Sequence, residues 1–339
     1  MAPHTAASRT RHPARRQRAS RSRTLAATVT IPGDANSAVL TFGDRTVQLT
    51  NLHKPFWREP LITKGDLLQY YADIAPVLLP HLRDRAMVMK RYPNGSEGEF
   101  FFMKRAPSPR PEWIELCAIE HQSSNVIDFP IIQDIASLLW VINLGCIDLN
   151  QWYATCDDVD RPDALHFDLD PVPNADFAQV RDSALIVRAG LDALGMPNYA
   201  KTTGSRGIHV YVPIVRGPNQ KEVWAVAKEF AHGIAGLYPK LMTAEYRIAK
   251  RPADRVLVDY NQNAWGRTLA SVYSVRPRPR APVSTPVTWD EIERGIRIED
   301  FRIDNVRERV AELGDLWAPL LERRGRFRLE KLYGGKREQ

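Results

Sequence analysis

Cysteine is scarce: Cys117, Cys146 and Cys156 are the only three among 339 residues, and no two form a CxxC pair. That spacing supports neither a disulfide framework nor a zinc site, and predicts reduced, structural thiols in a cytoplasmic protein. Long apolar runs are missing as well, so no segment is built to span a membrane. The richest stretch, Ile135 to Leu149, carries Asn143 and Asp148 and reads as a buried helix. No apolar signal-peptide core opens the chain. A Walker loop is absent, because no GK[ST] occurs, and so is the Gly-rich first turn of a dinucleotide fold.

Acidic residues are absent from residues 1–24, which hold seven arginines and no lysine. Those seven equal the formal net charge of +7, so the remaining 40 basic and 40 acidic side chains cancel. The pI near 9.3 therefore describes a tail rather than a uniformly basic body. Residues 1–25 are expected to be a disordered basic arm, either without essential role or attracting nucleic acid in a salt-sensitive way.

What is present reads as α+β. Alternation over Ala38–Leu49 predicts a hairpin turning at Gly43-Asp44. Thr63 is a candidate N-cap for a helix with Leu67, Leu68, Tyr71 and Ile74 on one face. Strands flank "PNGSEGE", and a second helix is expected over about 133–144. Residues 26–156 thus form a smaller N-terminal α/β region. From Leu165 a core (157–320) alternates strands at 165–169, 207–214 and 255–260 with helices at about 176–194 and 219–237. A basic tail, 321–339, follows. A mixed or antiparallel sheet flanked by helices suits this order better than a doubly wound one.

The chemistry begins at "LHFDLDP". On a strand, Leu165, Phe167 and Leu169 share one side, and His166, Asp168 and Asp170 the other. Adjacent carboxylates repel unless a cation or a proton compensates them. Oxygen ligands of this kind suit Mg²⁺ or Mn²⁺, and a pair of ions needs a carboxylate cluster. Alone, the pattern also fits an edge strand with solvated aspartates. Asp259, closing "RVLVD", supplies a third acid at a strand end, which could equally sit at a solvent margin. Between them, "KTTGSRGIHVYV" offers an anion site. Gly204 and Gly207 free the backbone, Thr202, Thr203 and Ser205 bring hydroxyls, and Lys201 and Arg206 bring charge. His209 could donate to a phosphate or be structural.

"FDLDP", "KTTGSRGIHVYVPI", "VLVDYNQN" and "SVYSVRPRPRAPVSTPVTWDEI" resemble, in order and spacing, the polymerase domain of bacterial ATP-dependent DNA ligase D and its stand-alone primase-polymerase relatives. The likeness covers roughly residues 38–315. It implies a primase-polymerase fold and nucleotidyl transfer with two Mn²⁺ or Mg²⁺ ions on Asp168, Asp170 and Asp259. By the same resemblance Lys90, Thr203, Ser205, Arg206, His209 and Arg276 contact the incoming NTP or dNTP. Lys54 and Lys64 bind the 5′-phosphate beyond a gap or break, and Phe101 and Phe102 stack on a template base. Without the resemblance those phenylalanines read as strand core, and the two lysines as surface charges.

Two departures stand out: Asn150 falls where relatives carry an active-site histidine, and the ligase lysine motif KxDG is absent. The expectation is a stand-alone, nucleoid-associated bacterial enzyme. It would fill gaps in duplex DNA, favour ribonucleotides and rely on a separate ATP-dependent ligase and an end-binding protein. The competing readings are a noncatalytic module that bridges DNA ends, and a DxD phosphohydrolase.

Overall fold

The structure, a computed structural model, describes residues 29–120 and 125–332. The basic arm of residues 1–25 and the last seven residues of the C-terminal tail lie outside these.

The N-terminal region opens with the expected hairpin, β1 (Ser37–Phe42) and β2 (Arg45–Thr50), joined by Gly43 and Asp44. Gly43 has φ +62°, the left-handed conformation that so tight a turn requires. A short pair follows, β3 (Pro55–Trp57) and β4 (Ile62–Thr63). Thr63 then caps α1 (Lys64–Leu82): its hydroxyl accepts the Asp66 N–H while the Asp66 carboxylate accepts the N–H of Thr63. β5 (Met87–Arg91) pairs with β6 (Phe101–Met103) and β9 (Cys146–Gln151) in a three-stranded sheet. β7 (Leu116–Glu120) and β8 (Val126–Pro130) form a separate hairpin.

The apolar stretch read as one helix is in fact two elements. α2 covers only Ile135–Asn143, and the chain reverses at Gly145, φ +82°, into β9. Only glycine enters that conformation without a steric penalty, so the helix ends there despite the apolar run beyond it.

The C-terminal half holds a six-stranded sheet in the order β13-β14-β10-β12-β11-β15. Its strands are β10 (Ala164–Pro171), β11 (Tyr199–Thr202), β12 (Ile208–Pro213), β13 (Met242–Thr243), β14 (Val256–Asp259) and β15 (Pro286–Val287). Only β13 and β14 run parallel, which gives the mixed sheet that the pattern implied. α3 (Phe177–Ala193) and α4 (Gln220–Leu237) pack against it, sealing Leu165, Phe167 and Leu169.

The two halves share one apolar cluster that runs from Val47 and Leu68 through Leu149 to Phe167, Val210 and Val275. Polar ties cross between them too. The Tyr70 hydroxyl donates to Tyr273 O at 2.9 Å, and that of Tyr71 donates to Ile147 O at 2.8 Å while accepting from Val275 N–H. Among the described residues, no helix is long and apolar enough to cross a membrane.

One expectation is overturned outright. Cys117, on β7, and Cys156, in the loop after β9, form a disulfide with Cα atoms 5.8 Å apart, and only Cys146 is free. Thirty-nine residues separate the partners, so their meeting is a product of tertiary packing that linear spacing cannot reveal. Reducing the bridge should expose two further thiols and lower stability by about 2–4 kcal/mol. Thiol titration alongside melting in reductant checks this; an unchanged melt would show that the crosslink stabilises nothing.

Candidate active site

Strand register assembles the site. Asp259 on β14 lies opposite Asp168 on β10, which lies opposite His209 on β12, which lies opposite Lys201 on β11. Opposed residues of paired strands present their side chains on one face, so these four make a single polar row across the sheet. Asp170, two residues beyond Asp168, shares that face. The acids expected to meet are therefore neighbours, although Asp259 is 91 positions beyond Asp168.

Asp168 and His209 of this row border a cavity of about 490 Å³, whose wall includes neither Asp259 nor Lys201. Asp168 and Asp170 form part of its wall with Thr203, Ser205, Arg206 and His209; Lys90, Phe102 and Arg276 come from other segments. Burial and the neighbouring Asp259 push the Asp168 carboxyl up to about 7. The Asp168 charge, reinforced by burial, pushes Asp170 to about 7 as well. Asp168 Oδ1 is buried and makes no hydrogen bond; His209 Nε2 stands 3.1 Å away but out of line. His209 itself is held neutral, since burial and the nearby Lys201 and Arg276 charges depress its basicity.

A carboxylate pair that resists ionisation and presents a bare oxygen has the donor chemistry a hard divalent cation satisfies. The Asp259 carboxylate accepts from Asn261 N–H at 2.8 Å and Gln262 Nε2 at 2.9 Å. Among the described residues no three acids, histidines or cysteines converge on one point as they stand.

The Gly/Ser turn is organised from within. Thr203 Oγ1 accepts the backbone N–H groups of Ser205, Arg206 and Gly207 at 3.0–3.2 Å. The amides expected to face an anion are thus satisfied by the turn itself, and the Thr203 hydroxyl keeps its own proton to donate. Thr202, expected to offer a hydroxyl, is fully buried: it donates to Val283 O and accepts from Thr285 N–H. Lys201, expected to bring charge to an anion, lies 1% exposed with Nζ donating to Ala270 O and Ser284 Oγ. Both residues lie on β11, a separate strand that the motif does not announce, and it carries them inside. Ser205 and Arg206 remain accessible, with Ser205 Oγ accepting from Arg278 Nε at 3.2 Å.

Asp148 was not singled out by sequence. It sits opposite Lys90 in the β5–β9 register, 1% exposed, and accepts from Arg276 Nε at 2.9 Å. Its only sequence signal is an acid inside an apolar strand. Asn150 also lines the cavity and donates to Asp148 O.

On the N-terminal side, Phe101 and Phe102 are 43% and 60% exposed, which excludes the strand-core reading. The surface reading of Lys64 fails in the opposite sense. It is buried, with Nζ donating to Thr50 O at 2.7 Å, and burial together with the Lys54 and Arg91 charges lowers its pKa to about 8. Lys54 donates to Asn94 Oδ1 and is adjacent through the β3–β4 pair.

Residues 63–317 match the family model described as LigD, primase-polymerase domain. The chain belongs to the LigD primase-polymerase family. It is 35% identical over 276 residues to the multifunctional non-homologous end joining protein LigD of Mycolicibacterium smegmatis, covering 81% of this chain and 36% of that protein. It is 29% identical over 269 residues to the bifunctional LigD of Bacillus subtilis, covering 79% and 43%. Among solved structures, the polymerase domain of Mycobacterium tuberculosis ligase D, determined in complex with DNA, superposes with a TM-score of 0.76 at 30% identity. That match covers 81% of this chain and 98% of the other. The chain thus spans the polymerase domain, roughly two fifths of the length of the curated LigD proteins. The mixed α+β fold and an enzyme of the DNA-directed nucleotidyltransferase class both follow from LigD primase-polymerase membership.

Proposed function

We propose that the protein is a DNA-dependent polymerase that fills short gaps during repair or end joining, inserting ribonucleotides at least as readily as deoxyribonucleotides. The observation that carries this is the register-aligned Asp168–Asp259 pair, whose Asp168 lines, together with Asp170, a cavity also lined by basic residues. Asp168, Asp170 and Asp259 would hold two Mn²⁺ or Mg²⁺ ions. When bound, such ions neutralise triphosphate charge and acidify the primer 3′-hydroxyl.

The remaining work falls to the chain's own groups. Lys90, Arg206 and Arg276 attract the triphosphate, the Thr203 and Ser205 hydroxyls orient it, and neutral His209, which also lines the cavity, contacts it. Phe101 and Phe102, exposed on β6, offer π-faces that suit any template base. A separate ATP-dependent ligase would seal the product, and an end-binding protein would deliver the break.

Lys54 and Lys64 would grip the 5′-phosphate across the gap. Extension of a gapped duplex bearing that phosphate should exceed extension of an open-ended primer, and Lys54→Ala with Lys64→Ala should erase the difference while sparing the open substrate. Equal loss on both substrates would count against the site. The preference should also depend on pH. Lys64 is charged below about 8 and neutral above it, so the advantage should be complete at pH 7 and fade by pH 9. A preference that stays flat across that range would place the phosphate elsewhere.

A further inference from the structure

Two sheets meet at the cavity without sharing a strand. Lys90 and Asp148 belong to the three-stranded N-terminal sheet, whereas the Thr203–Gly207 turn belongs to the six-stranded sheet. Arg276 spans the gap. Its Nε donates to Asp148 Oδ1 at 2.9 Å and its Nη1 donates to Thr203 O at 2.6 Å. The aliphatic stem passes so close to Gly204 that a Cβ there would lie 2.7 Å from Arg276 Cγ. The other Asp148 oxygen, Oδ2, stands 3.5 Å from Lys90 Nζ. That ammonium also lies 4.0 Å from the Phe100 ring centre, over its face.

A buried acid with two cationic neighbours has a definite effect. Burial, with the Arg276 and Arg278 charges, lowers the Lys90 pKa, and the Asp148 charge opposes that shift. The fixed place of Asp148 on β9 also sets the direction in which each cation points. Both long side chains would otherwise sample many rotamers, and ordering them on binding would weaken affinity. Asp148 accepts from Nε and Thr203 O from Nη1, so the guanidinium is held at two points in the cavity wall.

We propose that Asp148 is the positioning residue of the nucleotide site: it pre-sets Lys90 and Arg276 for the triphosphate and latches the N-terminal sheet to the Gly/Ser turn. This rests on reading the cavity as the nucleotide site. The acid itself would not touch the nucleotide, because a like charge at the phosphates would repel them. It acts through the two cations.

The test is Asp148→Asn in the full chain, read by equilibrium binding of ATP and by steady-state extension on a gapped primer. Affinity for ATP should fall at least ten-fold and KM for nucleotide should rise equally, with kcat changed less than three-fold and affinity for the gapped DNA unchanged. Asp148→Glu, which restores the charge, should recover most of the loss. A merely structural role would move kcat, DNA affinity and nucleotide KM together, and that outcome would overturn the proposal, as would wild-type ATP binding by Asp148→Asn. Absence of ATP binding by the wild-type chain would instead overturn the reading of the cavity. Should Asp148→Asn not fold, the double variant Asp148→Asn with Lys90→Gln removes the buried acid and its half-buried cationic neighbour together. It should bind ATP ten-fold more weakly than Lys90→Gln alone, because Arg276 still lacks its anchor; equal binding would overturn the latch.

Discussion

Asp168→Asn should abolish primer extension and, at the same time, make the protein more stable. The two effects share one cause. Asp168 is buried beside Asp259 and Asp170, and in the metal-free protein its carboxylate meets more repulsion and desolvation than stabilisation. Its folded pKa, about 7, lies far above the ordinary 3.8. Between those values the native state binds more protons than the unfolded chain, so wild-type stability falls as pH rises from about 4 to 7 and stays low above it. The asparagine has the same shape and no charge. At pH 8 it should add about 2–4 kcal/mol and pull Asp170 down, since Asp168 is the largest influence on that group. At pH 4 the two proteins should melt alike. Extension should meanwhile drop by a factor of at least about 10³, because one of the three carboxylates that would hold the metal ions is lost. Melting at both pH values and extension on a gapped primer check the pair of claims. A variant that still extends would remove Asp168 from the reaction, and one that melts lower at pH 8 would show the carboxylate to be compensated already.

Much of this site was legible because its members lie on short, strongly patterned strands. Alternation in "LHFDLDP" places Asp168 and Asp170 together, and the same rule puts Asp259 on a usable face of β14. The hairpin at Gly43-Asp44 and the Thr63 cap are equally local, since each depends on residues at most three positions apart. What failed to show was set by long-range packing. The depth of Lys201 and Thr202 depends on the returning segment at Ser284 and Thr285, more than eighty positions away. Asp148 looks like a blemish in an apolar run until β5 brings Lys90 opposite it. The Thr203 hydroxyl folds back on its own turn, so a motif that reads as an open anion cradle is a closed one. Exposure of Phe101 and Phe102 runs against their hydrophobicity, because the short β6 that carries them is an edge strand of its sheet. Burial and hydrogen-bond partners broke the local expectation in each of these places, which is where sequence reasoning on core and surface has least grip.

Gly207→Ala should be the most damaging single methyl in the protein. Glycine here is not needed for a left-handed backbone; it is needed for space. A Cβ at this position would stand 2.3 Å from Leu169 O and 3.0 Å from Asp170 Oδ1. The first is main chain of β10, the strand that carries both aspartates, so no side chain can swing aside to relieve it. Leu169 pairs with Ile208, and Asp168 with His209. Relief must come from parting β10 from β12 at that point, or from breaking the bonds by which Thr203 and Gly207 close the turn. Either route also displaces the Asp168 and Asp170 carboxylates. Stability should fall by about 3 kcal/mol or more, and any protein that folds should extend primers at least about 100-fold more slowly. Gly236→Ala supplies the control. It lies in α4 with open space around its Cα and should be neutral or stabilising by about 0.5–1 kcal/mol. Chemical denaturation and extension rates on both variants separate the effects. If Gly207→Ala folds and extends like the control, the close approach of turn to strand does not govern the site, and the spacing of the two aspartates must be fixed by something other than this contact.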